Sequence, residues 1–224
     1  LTLNASSTLT ISGSTSTGLY NKGTVENAGL LDINTTGHAG LHNEGTWIPG
    51  PFVYQGGLFN NNTGGELRIN GTTAEGIYLS NATLNNYSKI KIGNTGNIGN
   101  DGIELRSSGL DNKSTGEIAI DGTTGDGIFV FNNGLTNSGK ITIGGNSAIG
   151  GNGITNAATI TNNAGAEIKI DRTTQNGIYN SFASFDNSGL LKIGSTANTG
   201  GSGISNQNAN FNNYATGEIT IDRT

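Results

Sequence analysis

The sequence contains no cysteine, so neither disulfide bonds nor thiolate metal sites stabilise the fold. Charged residues make up only 12% of the chain, about half the share of roughly 25% in ordinary globular proteins. Eleven basic residues are scattered among sixteen acidic ones, which gives a net charge of −5 and no basic patch for nucleic acid. This composition is compatible with a secreted bacterial protein that depends on backbone hydrogen bonds.

Long hydrophobic runs are also missing. No apolar stretch approaches the roughly 20 residues that a membrane-spanning helix needs, so we expect no membrane insertion by this segment. The first residues do not resemble a secretory signal peptide, which predicts a mature or excised piece of a larger protein. No segment shows the periodicity of a helix.

A repeated unit fills the chain instead. Short strands of the form apolar-x-apolar are centred on Ile11, Ile33, Ile69, Ile92, Ile120, Ile143, Ile170, Ile193 and Ile221. Each strand except the last is followed by a turn and by a glycine that precedes Ile or Leu: Gly18, Gly40, Gly76, Gly102, Gly127, Gly153, Gly177 and Gly203. A third segment, apolar-x-Asn, follows each glycine, and from Asn61 onward its asparagines lie 25 or 26 residues apart.

This repeat predicts an all-β fold, a right-handed parallel β-helix solenoid of about eight to nine coils with three short strands each. A left-handed β-helix would repeat about every 18 residues, which is shorter than these units. The prediction covers residues 1–224 as a single domain. Stacking at roughly 4.8 Å per coil gives a rod of about 40 Å.

Two kinds of coil alternate. One has the short turn (D/N)-x-T-T-x-x-G after Ile69, Ile120 and Ile170, and the other has a longer turn rich in Gly and Asn at 93–102, 144–153 and 194–203. We expect the glycines to serve where the backbone needs a positive φ or a tight bend.

The asparagines of the third segment are expected to point inward. Phe185 and Asn187 lie two residues apart on one strand and therefore share a face, so a buried Phe185 places Asn187 inside. Buried amides need hydrogen-bond partners, and stacked asparagines can supply them to one another. We interpret this column as structural: Asn61, Asn86, Asn112, Asn137, Asn162, Asn187 and Asn213.

Two outward columns accompany the core. One strand position reads Glu66, Lys89, Glu117, Lys140, Glu167, Leu190 and Glu218, which predicts opposite charges facing each other on adjacent coils and fixing the register. The residue after Gly-Ile or Gly-Leu reads Tyr20, His42, Tyr78, Glu104, Phe129, Thr155, Tyr179 and Ser205. From Tyr78 on, aromatic residues recur every second coil, about 10 Å apart, either exposed for binding or covered by the long turns.

One insertion breaks the repeat. The spacing from Ile33 to Ile69 is 36 residues, and the extra residues fall at about 46–57. This segment holds the single tryptophan and both prolines, with candidate binding residues Trp47, Phe52 and Tyr54. It either serves recognition or packs along the rod as a clasp.

Signals for catalysis, metals and cofactors are weak. His38 and His42 are the only histidines, and no nucleophile motif accompanies them. The glutamates Glu66, Glu117 and Glu167 of the charge column have lysine beside them, which does not favour the raised pKa of a glycosidase acid. "GDG" at 125–127 falls short of a calcium-binding nonapeptide. We therefore expect no enzyme activity, no metal and no cofactor.

The pattern G-I-x-N…(L/F)-x-N-x-G-x-I-x-I resembles the right-handed β-helix repeats of bacterial surface adhesins, such as filamentous haemagglutinins and autotransporter passenger domains. This resemblance covers essentially the whole chain and concerns the style of the repeat. It implies a rod at the bacterial surface or outside the cell, used in attachment, and it identifies no receptor.

We therefore expect an extracellular, non-enzymatic rod or stalk of an adhesin, with a host-surface, matrix or glycan ligand. The alternatives are a structural filament subunit and a carbohydrate-active β-helix, such as a lyase, hydrolase or tailspike. Neither end shows a polar cap, which predicts stacking on neighbouring repeats or on further copies of the chain.

Overall fold

The structure, a computed structural model, describes residues 1–50 and 53–224. These residues contain no helix and form the following strands. In chain order the strands are β1 (Thr2–Leu3), β2 (Thr8–Ser14), β3 (Leu19–Asn21), β4 (Thr24–Asn27), β5 (Leu30–Thr36), β6 (Leu41–Glu44), β7 (Thr46–Ile48), β8 (Val53–Gln55), β9 (Leu58–Asn61), β10 (Glu66–Thr72), β11 (Ile77–Ser80), β12 (Thr83–Asn86), β13 (Lys89–Ile92), β14 (Ile103–Asn112), β15 (Glu117–Ile120), β16 (Ile128–Asn137), β17 (Lys140–Ile143), β18 (Ile154–Asn162), β19 (Glu167–Ile170), β20 (Ile178–Ser181), β21 (Ser184–Asn187), β22 (Leu190–Ile193), β23 (Ile204–Gln207), β24 (Asn210–Asn213) and β25 (Glu218–Ile221).

These strands wind into a right-handed parallel β-helix of about nine coils, which confirms the predicted fold class. A full coil has three strands. The first begins at the Ile or Leu that follows the repeated glycine, the second ends in Asn, and the third contains the repeated Ile. In β14, β16 and β18 the first and second strands run together through the corner between them. We call this place, between the first and second strands of a coil, the first corner.

The third strands stack in one parallel sheet of nine strands, in the order β2-β5-β10-β13-β15-β17-β19-β22-β25. Its register aligns the nine isoleucines of the repeat in one column from Ile11 to Ile221. The first and second strands form the other parallel sheet. Because alternate side chains point inward, one continuous apolar core runs along the rod, and near its end the rings of Phe185 and Phe211 stack at 4.8 Å.

The insertion leaves the rod at the first corner. β7 and β8 pair antiparallel, with Trp47 opposite Tyr54, and form a two-stranded hairpin outside the two parallel sheets. The coils on either side keep their register across it, since Val25 aligns with Phe59 and Phe59 with Leu84. The insertion therefore adds a projection without disturbing the stack.

Hydrogen bonds between neighbouring coils link each of the three short turns to the long turn of the next coil. The acidic or amide residue that opens each short turn accepts backbone N–H groups from the long turn of the next coil. Asn70 Oδ1 accepts from Thr95 at 3.0 Å, Asp121 Oδ1 from Asn146 at 2.7 Å, and Asp171 Oδ1 from Thr196 at 2.9 Å. Each long turn is thus ordered by the short turn that precedes it.

The repeated glycines before Ile or Leu need space and not an unusual φ. None of these eight glycines has a positive φ. A Cβ on Gly177 would lie 2.5 Å from Ile193 Cγ2 and 2.6 Å from the carbonyl oxygen of Gly203. Positive φ angles occur instead just after the third strands, for example at Gly93 and Gly144. The column glycines allow successive coils to approach closely.

Candidate functional site

The outward side of the first strands carries the predicted aromatic column. The strand pairings align its members in the expected order: Tyr20, His42, Tyr78, Glu104, Phe129, Thr155, Tyr179 and Ser205. At its N-terminal end the column is continuous, because the His42 ring lies 4.8 Å from the rings of both Tyr20 and Tyr78 in edge-on contact. Burial lowers the pKa of His42 and so favours its neutral form at physiological pH.

Farther along the rod the aromatic residues are separated. Tyr78, Phe129 and Tyr179 are half-buried and lie two coils apart, with Glu104 and Thr155 between them. The Arg106 guanidinium lies 5.9 Å from the centroids of both Phe129 and Phe131. Tyr179 Oη donates to Gln207 Oε1 at 3.0 Å. The column therefore presents partly exposed rings with polar and charged neighbours.

Two of the long turns are anchored in the stack by a buried apolar residue. Ile98 and Ile149 are fully buried, and their backbones bridge Thr72, Thr123 and Thr173 of the short turns. This contact fixes the long turns to the turn side of the rod.

The hairpin places two of the predicted binding residues on the surface. Trp47 is 46% exposed and Tyr54 is 51% exposed, and their ring centroids lie 5.2 Å apart. Phe52, the third predicted residue of this segment, lies outside the described residues. The hairpin begins two residues after Glu44, whose carboxylate accepts a hydrogen bond from the Tyr20 hydroxyl. Its base is therefore connected to the N-terminal part of the aromatic column.

Beneath these surfaces lies the asparagine column, fully buried from Asn27 to Asn187. Each Nδ2 donates to the Oδ1 of the next coil at 2.7–2.8 Å, as in the pairs Asn112–Asn137 and Asn137–Asn162. The remaining pairs, Asn27–Asn61, Asn61–Asn86, Asn86–Asn112, Asn162–Asn187 and Asn187–Asn213, have the same geometry. These contacts provide the partners that buried amides require and place the column away from any external ligand.

A second asparagine column was missed as a structural feature. Asn21 donates to Asn43 Oδ1 at 2.7 Å, and farther along Asn156, Asn180 and Asn206 form the same ladder. The middle coils place Leu79, Leu105 and Val130 at this position. The "G-I-x-N" part of the repeat was the available signal, but the three aliphatic residues interrupt it.

The charge column has the predicted register, but its ion pairs do not all join residues directly across from each other. Glu66 binds Lys91 on the next coil at 2.8 Å and Arg68 on its own strand at 2.9 Å. Glu167 binds Lys140 at 3.6 Å and Lys192 at 3.4 Å. The hydrogen bond from Arg68, assisted by Lys91 and opposed by partial burial, lowers the pKa of Glu66 to about 2. This carboxylate is a stabilising anion and not a proton donor.

A group of carboxyl groups near Tyr78 behaves in the opposite way. Burial, together with the nearby carboxylates of Asp126, Glu104 and Glu75, raises the pKa of Asp101 to about 7, although a hydrogen bond from the Asp126 N–H lowers it. Burial also raises the pKa of Glu104, opposed by Arg106, which donates a hydrogen bond to it. Sequence analysis had not singled out Asp101.

Asp101→Asn is expected to stabilise the protein at pH 8. Because the folded-state pKa of Asp101 lies above its unfolded value, the folded protein binds more protons between about pH 4 and pH 7, so stability falls as pH rises through that window. The variant removes this loss, and Asn152 and Asn176 show that an amide fits the same position of later coils. Urea unfolding should show a gain of about 1–3 kcal/mol near pH 8, after allowance for solvent screening.

The control for this prediction is pH itself. Near pH 4 the wild-type carboxyl is protonated in the folded state, so the two proteins should have nearly equal stability. An equal difference at both pH values would contradict the assignment of the effect to Asp101.

Neither a cluster of metal ligands nor a helix that could span a membrane occurs among the described residues. In the described part of the chain, no group of three or more His, Asp or Glu side chains is arranged to hold a metal ion. Within residues 1–50 and 53–224, no helix is long and apolar enough to cross a membrane.

No protein-family profile, curated protein or solved structure matches the sequence. The class of protein is therefore defined by its fold and surface: a right-handed parallel β-helix with an aromatic hairpin.

Proposed function

We propose that this chain is the non-enzymatic rod of a bacterial adhesin, at the cell surface or secreted, and that it mediates attachment. The observation that carries the proposal is the aromatic hairpin of β7 and β8. Elsewhere the first corner is crossed in two residues or continuously, so the rod does not need this projection for its own stacking. The resemblance of the repeat to those of bacterial surface adhesins supports the same function.

The chemistry of the hairpin suits recognition. Trp47, Val53 and Tyr54 are all about half exposed, which concentrates apolar surface on one small projection. Tryptophan and tyrosine are the side chains that most often dominate binding energies, because they combine a large apolar face with a polar atom. Together with Tyr20 and His42 near its base, the hairpin forms a surface suited to a glycan or a protein ligand on a host cell or matrix.

Substitution of Trp47 and Tyr54 by alanine is expected to weaken binding at least 10-fold, as removal of central aromatic side chains does at other interfaces. Wild type and the double variant should be compared on arrays of glycans and of extracellular-matrix proteins. Because the hairpin lies outside the parallel sheets, thermal unfolding of the rod should change little. Tyr214→Ala is a matched control, since Tyr214 is 52% exposed but lies far from the hairpin in sequence and six coils away along the rod.

Equal binding by wild type and the double variant would contradict a recognition role for the hairpin. If neither protein binds any ligand and wild type instead lengthens into rods with concentration, the filament alternative would explain the fold better. Light scattering and electron microscopy distinguish that result.

A carbohydrate-active β-helix is the second candidate, because Asp101 and Glu104 have raised pKa values beside Tyr78. A carboxyl group that keeps its proton near neutral pH can act as a general acid in glycoside cleavage. This candidate requires release of reducing ends from a polysaccharide and loss of that activity in Asp101→Asn, because burial raises the pKa of Asp101 to about 7. Binding without turnover would support the adhesin.

A further inference from the structure

The first corner has a recurrent backbone geometry. In most coils the residue at the corner has a left-handed conformation: φ is 50° at Asn81, 50° at Ser107 and 50° at Asn208, and Asn132 and Asn133 have values of 60° and 62°. Asparagine tolerates this conformation because its short polar side chain bonds locally. The corners that have this conformation therefore favour small polar residues, and one of them carries a bulky residue instead.

Phe182 occupies the corner of the eighth coil with φ 53°. Bulky side chains rarely adopt a left-handed conformation. The corner itself is regular, because the Phe182 N–H donates to the Gln207 carbonyl oxygen at 3.2 Å, as Asn81 donates to Arg106 in an earlier coil. The phenylalanine is thus an unfavourable choice at a position where the fold accepts asparagine.

The side chain gains no burial in return. Phe182 is 78% exposed, the most exposed large hydrophobic residue in the described part of the chain. Strained residues that contribute little to packing concentrate at functional sites, since the surrounding fold can maintain them for another purpose. Both costs, strain and exposure, would disappear with the asparagine found at the same place one coil later, Asn208.

A shallow recess lies beside this ring. It has a volume of about 630 Å³ and is lined by Phe182, Ala183, Ser184, Asn208, Ala209 and Asn210. None of these six residues is ionisable. Asn208 and Asn210 are exposed and offer their side-chain amides to a ligand. Next to the recess the Tyr179 hydroxyl donates a hydrogen bond to the side chain of Gln207.

We propose that this recess binds a neutral saccharide, with the apolar face of one sugar ring stacked on Phe182. The amides of Asn208 and Asn210 then bind the sugar hydroxyl groups. The Ser184 hydroxyl donates to Asp186 Oδ1 at 3.2 Å, so its oxygen accepts a hydrogen bond from the sugar. A recess without ionisable residues, on a chain of net charge −5, does not suit sulfated or sialylated chains. A single exposed ring also provides far less apolar area than a stable protein interface of roughly 1,200–2,000 Å².

This site is separate from the hairpin. The hairpin belongs to the third coil and Phe182 to the eighth, so about 24 Å of rod lies between them at the spacing of stacked strands. The proposal therefore goes beyond the function proposed for Trp47 and Tyr54, and either site can fail without the other.

Phe182→Asn tests the proposal with two readouts. The melting temperature should rise by about 2–4 °C, because strain and apolar exposure are both removed. Binding to an array of neutral oligosaccharides of glucose, galactose, mannose and N-acetylhexosamines should weaken more than 10-fold. Asn208→Gly, which keeps the left-handed backbone and removes the amide, should weaken the same binding without loss of the fold.

Two controls make the result specific. Tyr87→Ser removes an exposed aromatic residue at another corner, where Ser138 and Ser188 occupy the equivalent positions, and it should leave saccharide binding unchanged. Trp47→Ala should also retain it, which separates this site from the hairpin. The proposal is overturned if wild type binds no neutral saccharide, if it binds only anionic glycans, or if Phe182→Asn binds as wild type does.

Discussion

Replacing Asn137 by leucine is expected to destabilise the folded protein by about 3 kcal/mol, although leucine matches asparagine roughly in size. Asn137 is fully buried, accepts from Asn112 at 2.8 Å and donates to Asn162 at 2.8 Å and to the Glu167 carbonyl at 3.1 Å. Leucine removes the side-chain acceptor of Asn112 Nδ2, which keeps its bonds to the Gly116 and Lys140 carbonyls, and it leaves Asn162 Oδ1 buried without the donor that Asn137 supplied. Urea unfolding measures the change.

Thr136→Ala is the matched control for this experiment. Thr136 is the preceding residue on the same strand and points to solvent, so its replacement should change the free energy of unfolding by no more than about 0.5 kcal/mol. A similarly small change for Asn137→Leu would show that the amide ladder contributes little stability.

The second asparagine column shows that the free-energy cost of replacing a buried asparagine depends on the residues of the adjacent coils. There the middle coils hold Leu79, Leu105 and Val130 in succession, so aliphatic residues face each other and few amides are left without a neighbour. Replacing both partners of a buried hydrogen bond is nearly neutral, whereas replacing one is costly. An isolated leucine within the first column lacks this compensation.

Gly144→Ala is expected to have a large effect for a single methyl group, a loss of more than about 4 kcal/mol or failure to fold. Gly144 has φ 67°, and a Cβ at this position would overlap the Asp171 carbonyl oxygen and lie 2.9 Å from its carbonyl carbon. Both neighbours are backbone atoms of the next coil, so relief requires the two coils to separate. Circular dichroism and urea unfolding report the loss.

Gly165→Ala separates the two causes. Gly165 also has a positive φ of 80°, but an added Cβ would meet no atom within 4 Å. This variant should cost only the roughly 1–2 kcal/mol of a left-handed alanine. Equal losses at Gly144 and Gly165 would show that φ alone, and not close approach between coils, determines the need for glycine.

The fold was predictable because every coil repeats the same alternation, and one isoleucine of each third strand defines the register. The inward asparagine column followed from the two-residue spacing of Phe185 and Asn187. The insertion was located by the 36-residue interval, but its antiparallel pairing was not foreseen, since a segment outside the repeat has no copy to align with.

Features that depend on contacts between coils were harder to foresee. The sequence shows that short and long turns alternate, but the bonds from Asp121 and Asp171 to the next turn are visible only once the coils are stacked. The same holds for the column glycines, whose role is close approach, and for the diagonal pair of Glu66 and Lys91. The left-handed backbone and the exposure of Phe182 were not predicted, because a single aromatic residue in a turn does not interrupt the repeat.

The asparagine column also gives the rod a dipole along its axis. Every Nδ2 from Asn27 to Asn187 points to the following coil, and its orientation is fixed because the same nitrogen also donates to a backbone carbonyl, such as those of Lys89 and Lys140. Side-chain amides resemble peptide units of about 3.5 D, and aligned dipoles add along an axis. Since β-sheets have only small net dipoles, the buried amides make the interior positive toward the C-terminal coil and negative toward the N-terminal one.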